Sequence, residues 1–113
     1  MTGQCYDISF ARLPEMLQKY SSKRVRLCHG IPTLTRAPFK PYGHAWLEVA
    51  VAPGVVLVFD PSREMPVWQA LYYRAGKIQY VKRYTAQEAL LLSVEFETTG
   101  PWDETVSAAL HTS

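Results

Sequence analysis

The sequence predicts an α+β domain: an N-terminal helix packed on a small antiparallel sheet, with one or two C-terminal helices. Three observations carry this prediction. Apolar residues recur at helical spacing from Tyr6 to Tyr20, and they alternate with polar residues from Val25 onward. Two further apolar segments flank the turn signal Ala52-Pro53-Gly54. The chain has 113 residues, 48% hydrophobic and 19% charged, which suits a single folded domain over residues 1–113 and argues against disorder.

Each element has a local cause. Tyr6, Phe10, Leu13, Leu17 and Tyr20 mark one face of the first helix. Pro14 lacks an amide hydrogen and crowds the carbonyl one turn back, so a kink or two short helices meeting at Leu13-Pro14 is expected. Ser21-Ser22 ends the segment. Val25, Leu27 and His29 alternate with Arg26, Cys28 and Gly30 as in a strand, and Pro32, Pro38 and Pro41 then bar regular structure. Strands from about His44 to Val51 and from about Val55 to Asp60 should form a hairpin.

The later elements follow the same logic. Pro66 to Arg74 fits either a short helix or an irregular excursion, and Gln79 to Tyr84 fits another strand. Thr85-Ala86-Gln87-Glu88 is a capping box that opens a helix. Asp103 is placed to cap a last helix reaching about Leu110.

Charge and cysteine content narrow the partners. A net charge of +2, with its Lys and Arg scattered, argues against nucleic acid. Arg24, Arg26, Lys82 and Arg83 mostly alternate with apolar residues, as on a solvated sheet face. No charged-then-apolar leader follows Met1, and no apolar run approaches ~18 residues, so neither export nor a membrane span is expected. Two cysteines without an export signal are expected as thiols in the cytoplasm.

The chemistry-bearing residues come in the order Cys5, His44, Asp60. A thiol has a pKa near ~8.5, and only its thiolate is a strong nucleophile. A helix N-terminus favours the thiolate, and its unpaired amides can receive an oxyanion. On the His44 strand, His44, Trp46 and Glu48 share one face, while Ala45, Leu47 and Val49 face the core. A hairpin register pairing His44 with Asp60 leaves Val51 to Pro53 as the loop. It sets their Cβ atoms roughly 4.5–5.5 Å apart, within reach of an Nδ1–H to carboxylate bond. A slip of one residue would send the two side chains to opposite faces. A structural cysteine, a strand-edge histidine and an Asp-Pro turn are the competing uses of the same residues.

Gly3-Gln4-Cys5-Tyr6 resembles the Gly-Gln-Cys-aromatic nucleophile motif of the transglutaminase-like superfamily, which is related to papain in site geometry. His44-Ala45-Trp46-Leu47-Glu48 resembles that superfamily's His-x-Trp-x-Glu strand, and Phe59-Asp60-Pro61 its apolar-Asp strand end. The resemblance runs from Gly3 through Ser62 and looks most like small bacterial or phage-encoded members. It implies Cys5 as nucleophile, His44 as general base then acid, and Asp60 as the group that holds the imidazole tautomer. The implied activity is acyl transfer on an amide or peptide bond through a thioester: a cysteine peptidase or deamidase, or a transglutaminase. A catalytically inactive binding or regulatory module on the same fold is the alternative.

Two departures bear on the site. Few residues precede Cys5, so its helix must be held by its own apolar face. Papain-type enzymes place an oxyanion-hole Gln several residues before the Cys, a position this sequence lacks, so Gln4 or backbone amides must serve. Trp46 and Glu48 are read as shielding or orienting residues with a mainly structural role, and His29 as a neighbour reaching the site from the adjacent strand. Cys28 reads as a buried core thiol. Cys5, Cys28, His29 and His44 lack metal-ligand spacing, so no metal and no cofactor are expected. The expected partner is a protein or peptide substrate, and the oligomeric state is open.

Overall fold

The computed structural model describes residues 4–34 and 39–109; Gly3 of the nucleophile motif, Pro38 and Leu110 lie outside them. The first helical stretch is two pieces, α1 (Gln4–Ala11) and α2 (Leu13–Lys19), separated by Arg12. Pro14 sits in the first turn of α2, where its missing amide hydrogen costs nothing. A single 3-10 turn, Ser22–Arg24, leads into β1 (Val25–Gly30).

The hairpin strands are β2 (His44–Ala52) and β3 (Val55–Phe59). Pro53-Gly54 turns between them, with Gly54 at φ +72°, a conformation that glycine adopts without a Cβ clash. The undecided stretch after Pro66 becomes a short strand β4 (Val67–Trp68) followed by α3 (Gln69–Gly76). Then come β5 (Val81–Tyr84), α4 (Ala86–Phe96) and α5 (Glu104–Ala108). Thr85 and Glu88 form the expected capping box, and Asp103 caps α5.

The five strands lie in the order β4-β3-β2-β1-β5, all antiparallel, so β2 is central. Both faces of the sheet are covered. On one face Val25, Leu27, Leu47 and Val49 pack under Leu13 and Met16 of α2 and Ala89 of α4. Each Val, Leu and Met side chain among them contributes roughly 1.5–3 kcal/mol on burial. On the other face Cys28, Trp46 and Val58 pack with Tyr72 of α3.

This second core covers the His44 face of β2. Trp46 is fully buried and Glu48 almost so. The Glu48 carboxylate accepts hydrogen bonds from Trp46 Nε1 (3.0 Å), Gln69 Nε2 (2.9 Å), Arg83 Nε (3.0 Å) and the Tyr73 hydroxyl. Burial pushes its pKa up, but the bonds from Tyr73, Trp46 and Arg83 outweigh burial and hold it below its ordinary value. Arg83 is exposed, as are Arg24 and Lys82, but its guanidinium also turns back to serve as the counterion of Glu48.

Glu48→Gln keeps the shape but turns an amide NH2 toward donors that need an acceptor. It should lower unfolding stability in urea by about 2–4 kcal/mol, without slowing alkylation of Cys5. An unchanged urea midpoint would contradict this assignment.

Candidate active site

Cys5 lies in the first turn of α1 and is buried at 6% exposure. Short helices need tertiary contacts to persist, and α1 finds them on β2. Cys5 and Tyr6 cluster with Ala45, and the Tyr6 ring stands edge-on to His29 at 4.8 Å. A Cβ added to Gly43 would come within 2.8 Å of the Tyr6 hydroxyl oxygen. Glycine before His44 thus lets the residue after Cys5 approach, and the helix docks where the thiol meets the strand carrying the imidazole.

His44 is the first residue of β2, and Asp60 directly follows β3. The two are bonded, His44 Nε2 lying 3.1 and 3.0 Å from the carboxylate oxygens of Asp60. Two details differ from the sequence expectation. Leu47 pairs with Phe59 and Glu48 with Val58, so continuing the ladder puts Asp60 opposite Trp46 rather than His44. A displacement of two residues preserves the face, and His44 reaches its partner diagonally. A bulge between Ala50 and Ala52 absorbs the changed loop. The second difference is that Nε2, not Nδ1, meets the carboxylate.

That choice of nitrogen has a chemical consequence. A carboxylate only accepts, so Nε2 must donate, and in the neutral ring the proton therefore sits on Nε2. Nδ1 is then a bare acceptor. It is buried with no nitrogen or oxygen partner, while the Cys5 thiol is a hydrogen-bond partner of the ring. With Nε2 committed to Asp60, Nδ1 is the nitrogen left for the thiol proton. Burial pushes the His44 pKa down, yet its hydrogen bonds with Asp60 and Cys5, and then their charges, outweigh it and raise the value to about 9.

Asp60 is held on every side. Tyr72 Oη donates to Oδ2 at 2.5 Å, and the Ser62 amide and hydroxyl donate to Oδ1 at 2.8 and 2.7 Å. Burial raises its pKa, but the His44 bond and charge, then Tyr72 and Ser62, hold it far below the carboxylate range. Tyr42 covers the pair, its ring 5.6 Å from that of His44. A cavity of about 550 Å³ opens beside Tyr42, Asp60 and Tyr72.

The structure thus brings Cys5, His44 and Asp60 together. Gln4 opens α1, exposed, one residue before the thiol. Trp46 lies 6.0 Å from the His44 ring and belongs, with Glu48, to the core beneath α3. His29 is not a site neighbour. It is fully buried among Tyr6, Tyr84 and Trp102 on the opposite sheet face, and burial drives its pKa down to about 3. Cys28 is a fully buried thiol, as expected. Among the described residues no cluster of His, Cys, Asp and Glu could hold a metal ion, and no helix is long and apolar enough to cross a membrane.

Three supporting residues were missed. Ser62 follows Asp60 at the spacing of an Asx turn, a signal present in the sequence. Tyr42 and Tyr72 carry no local signal, since their roles depend on where the Pro-rich loop and α3 lie. No family model, curated protein or solved structure matches the chain.

The pair makes stability depend on pH in a defined window. The His44 value is raised from an ordinary 6.5 to about 9, so its contribution is complete below 6.5 and disappears as pH rises through 9. Asp60 is depressed, so its contribution is present above its ordinary 3.8 and is lost as pH falls below that value. The chain should lose on the order of 3 kcal/mol between neutral and strongly alkaline pH through this pair. Asp60→Asn should flatten that slope in urea titrations; an equal slope in the variant would contradict the coupling.

Proposed function

We propose that this chain is a thiol-dependent acyl-transfer enzyme of transglutaminase-like type that acts on amide or peptide bonds of a protein or peptide substrate. One observation carries the reading: a single imidazole is bonded to a buried carboxylate through Nε2 and to the Cys5 thiol, with its pKa raised to about 9. An imidazole in that setting takes the thiol proton and holds it as imidazolium beside Asp60.

The chemistry then follows. The Cys5 sulfur attacks the substrate carbonyl carbon, and the oxyanion meets the unpaired amides in the first turn of α1. His44 returns the proton to the leaving amine as the C–N bond breaks, leaving a thioester on Cys5. Water, deprotonated by His44, releases the acid; an amine in its place gives transamidation. Ser62 and Tyr72 act through Asp60 and are positioning residues. A peptidase or deamidase with reduced cysteines suits a cytoplasmic setting.

A binding module on the same fold is the second reading, and the near-complete burial of Cys5 favours it. Labelling kinetics separate the two. Burial raises the Cys28 pKa well above its ordinary value, with the Glu48 charge adding to the rise, so this thiol should be inert. Under the enzyme reading iodoacetamide should alkylate Cys5 much faster than Cys28 at mildly acidic pH, and His44→Ala should slow it by roughly 100-fold. Equal, slow labelling of both thiols would sink the enzyme reading and leave the binding module.

A further inference from the structure

The cavity beside the triad has one charge that nothing in the fold consumes. It is lined by Pro32, Leu34, Tyr42, Asp60 and Tyr72, with Arg63 among the lining residues. Its size, about 550 Å³, lies within the range of sites that enclose a small ligand or a peptide segment, roughly 300–1,000 Å³. The Asp60 charge is paired with His44, and Tyr72 and Ser62 engage its oxygens as well.

Arg63 is different. Its backbone amide bonds the Asp60 carbonyl oxygen at 2.9 Å, which fixes the residue three positions from the triad carboxylate. Its exposed guanidinium makes no hydrogen bond or ion pair among the described residues. A guanidinium presents a planar fork of donors that matches a carboxylate. Tyr42 lines the same space. It packs on the His44 ring, and its hydroxyl feels the charges of Asp60, Cys5 and Arg63.

We propose that this cavity is a specificity pocket for an acidic side chain flanking the scissile amide, with Arg63 binding its carboxylate. The inference rests on the reading of Cys5 as a reactive thiol. A substrate lying across Tyr42 presents its carbonyl to Cys5 while its carboxylate reaches Arg63. A basic side chain at the same place meets a cation and is disfavoured. An exposed Arg–carboxylate pair contributes up to about 1 kcal/mol, a factor of about five in rate or affinity.

Two reagents of matching shape test this, bromoacetyl-glutamic acid α-amide and bromoacetyl-glutamine amide, which differ only in the charged group. In each, the Cys5 sulfur attacks the bromomethylene carbon, bromide leaves, and His44 takes the thiol proton. Mass spectrometry of the whole chain reads the rate at Cys5, with iodoacetamide run in parallel. The Glu reagent should label about fivefold faster than the Gln reagent at low salt. Arg63→Gln should bring that ratio close to one, Arg63→Lys should restore part of it, and added salt should erode it. Equal rates for the two reagents, or a preference that survives Arg63→Gln, would overturn the pocket while leaving the thiol reading intact. Slow iodoacetamide labelling of Cys5, no faster than of Cys28, would overturn the thiol reading and this inference with it.

Discussion

A carboxylate taken out of water costs several kcal/mol unless hydrogen bonds and opposite charge replace the lost solvent. This sheet buries two of them on one face, Asp60 and Glu48. Helix α3 answers both with consecutive residues: Tyr72 donates to Asp60 and Tyr73 to Glu48. Gln69 of the same helix adds a second bond to Glu48. The remaining donors come from the strands and the turn after β3, with Arg83 and His44 supplying positive charge. The position of α3, the seating of Trp46 and the orientation of His44 therefore all answer to the same electrostatic demand.

The two carboxylates have diverged in what that demand produces. Glu48 is balanced by an arginine that stays charged and by donors that belong to the core, so its network is closed. Asp60 is balanced by an imidazole whose second nitrogen is left over, and that surplus is where chemistry becomes available. The thiol meets it because α1 docks on β2 through Tyr6, against a strand entry that glycine keeps bare at Gly43. Thiol and imidazole are thus joined by the packing of their immediate neighbours.

Much of this was legible in the sequence, for identifiable reasons. Period-two alternation fixed the face of His44, and a two-residue change of register left that face intact, so the His44–Asp60 pair survived an error in the loop. The capping box at Thr85 and the cap at Asp103 are local patterns and appear as read. What escaped was tertiary. Trp46 and Glu48 read as mainly structural neighbours of the pair, but the donors that close over Glu48 belong to a helix that the Pro66 to Arg74 pattern left undecided. His29 looked close to the site along the chain, but alternation sends it to the face opposite His44, against Tyr6, Tyr84 and Trp102. The tautomer, too, depends on which ring nitrogen the diagonal approach presents, and no sequence pattern encodes that.

The His44 imidazole is shared between a buried carboxylate and a thiol, with its proton on Nε2 when neutral. A nitrogen-detected NMR titration of the imidazole measures tautomer and pKa together. The Nε2–H form and a midpoint near 9, raised from 6.5, are expected, with the midpoint falling toward the ordinary value when Asp60 is changed to Asn. A midpoint near 6.5 in the unaltered chain, or an Nδ1–H ring, would contradict it.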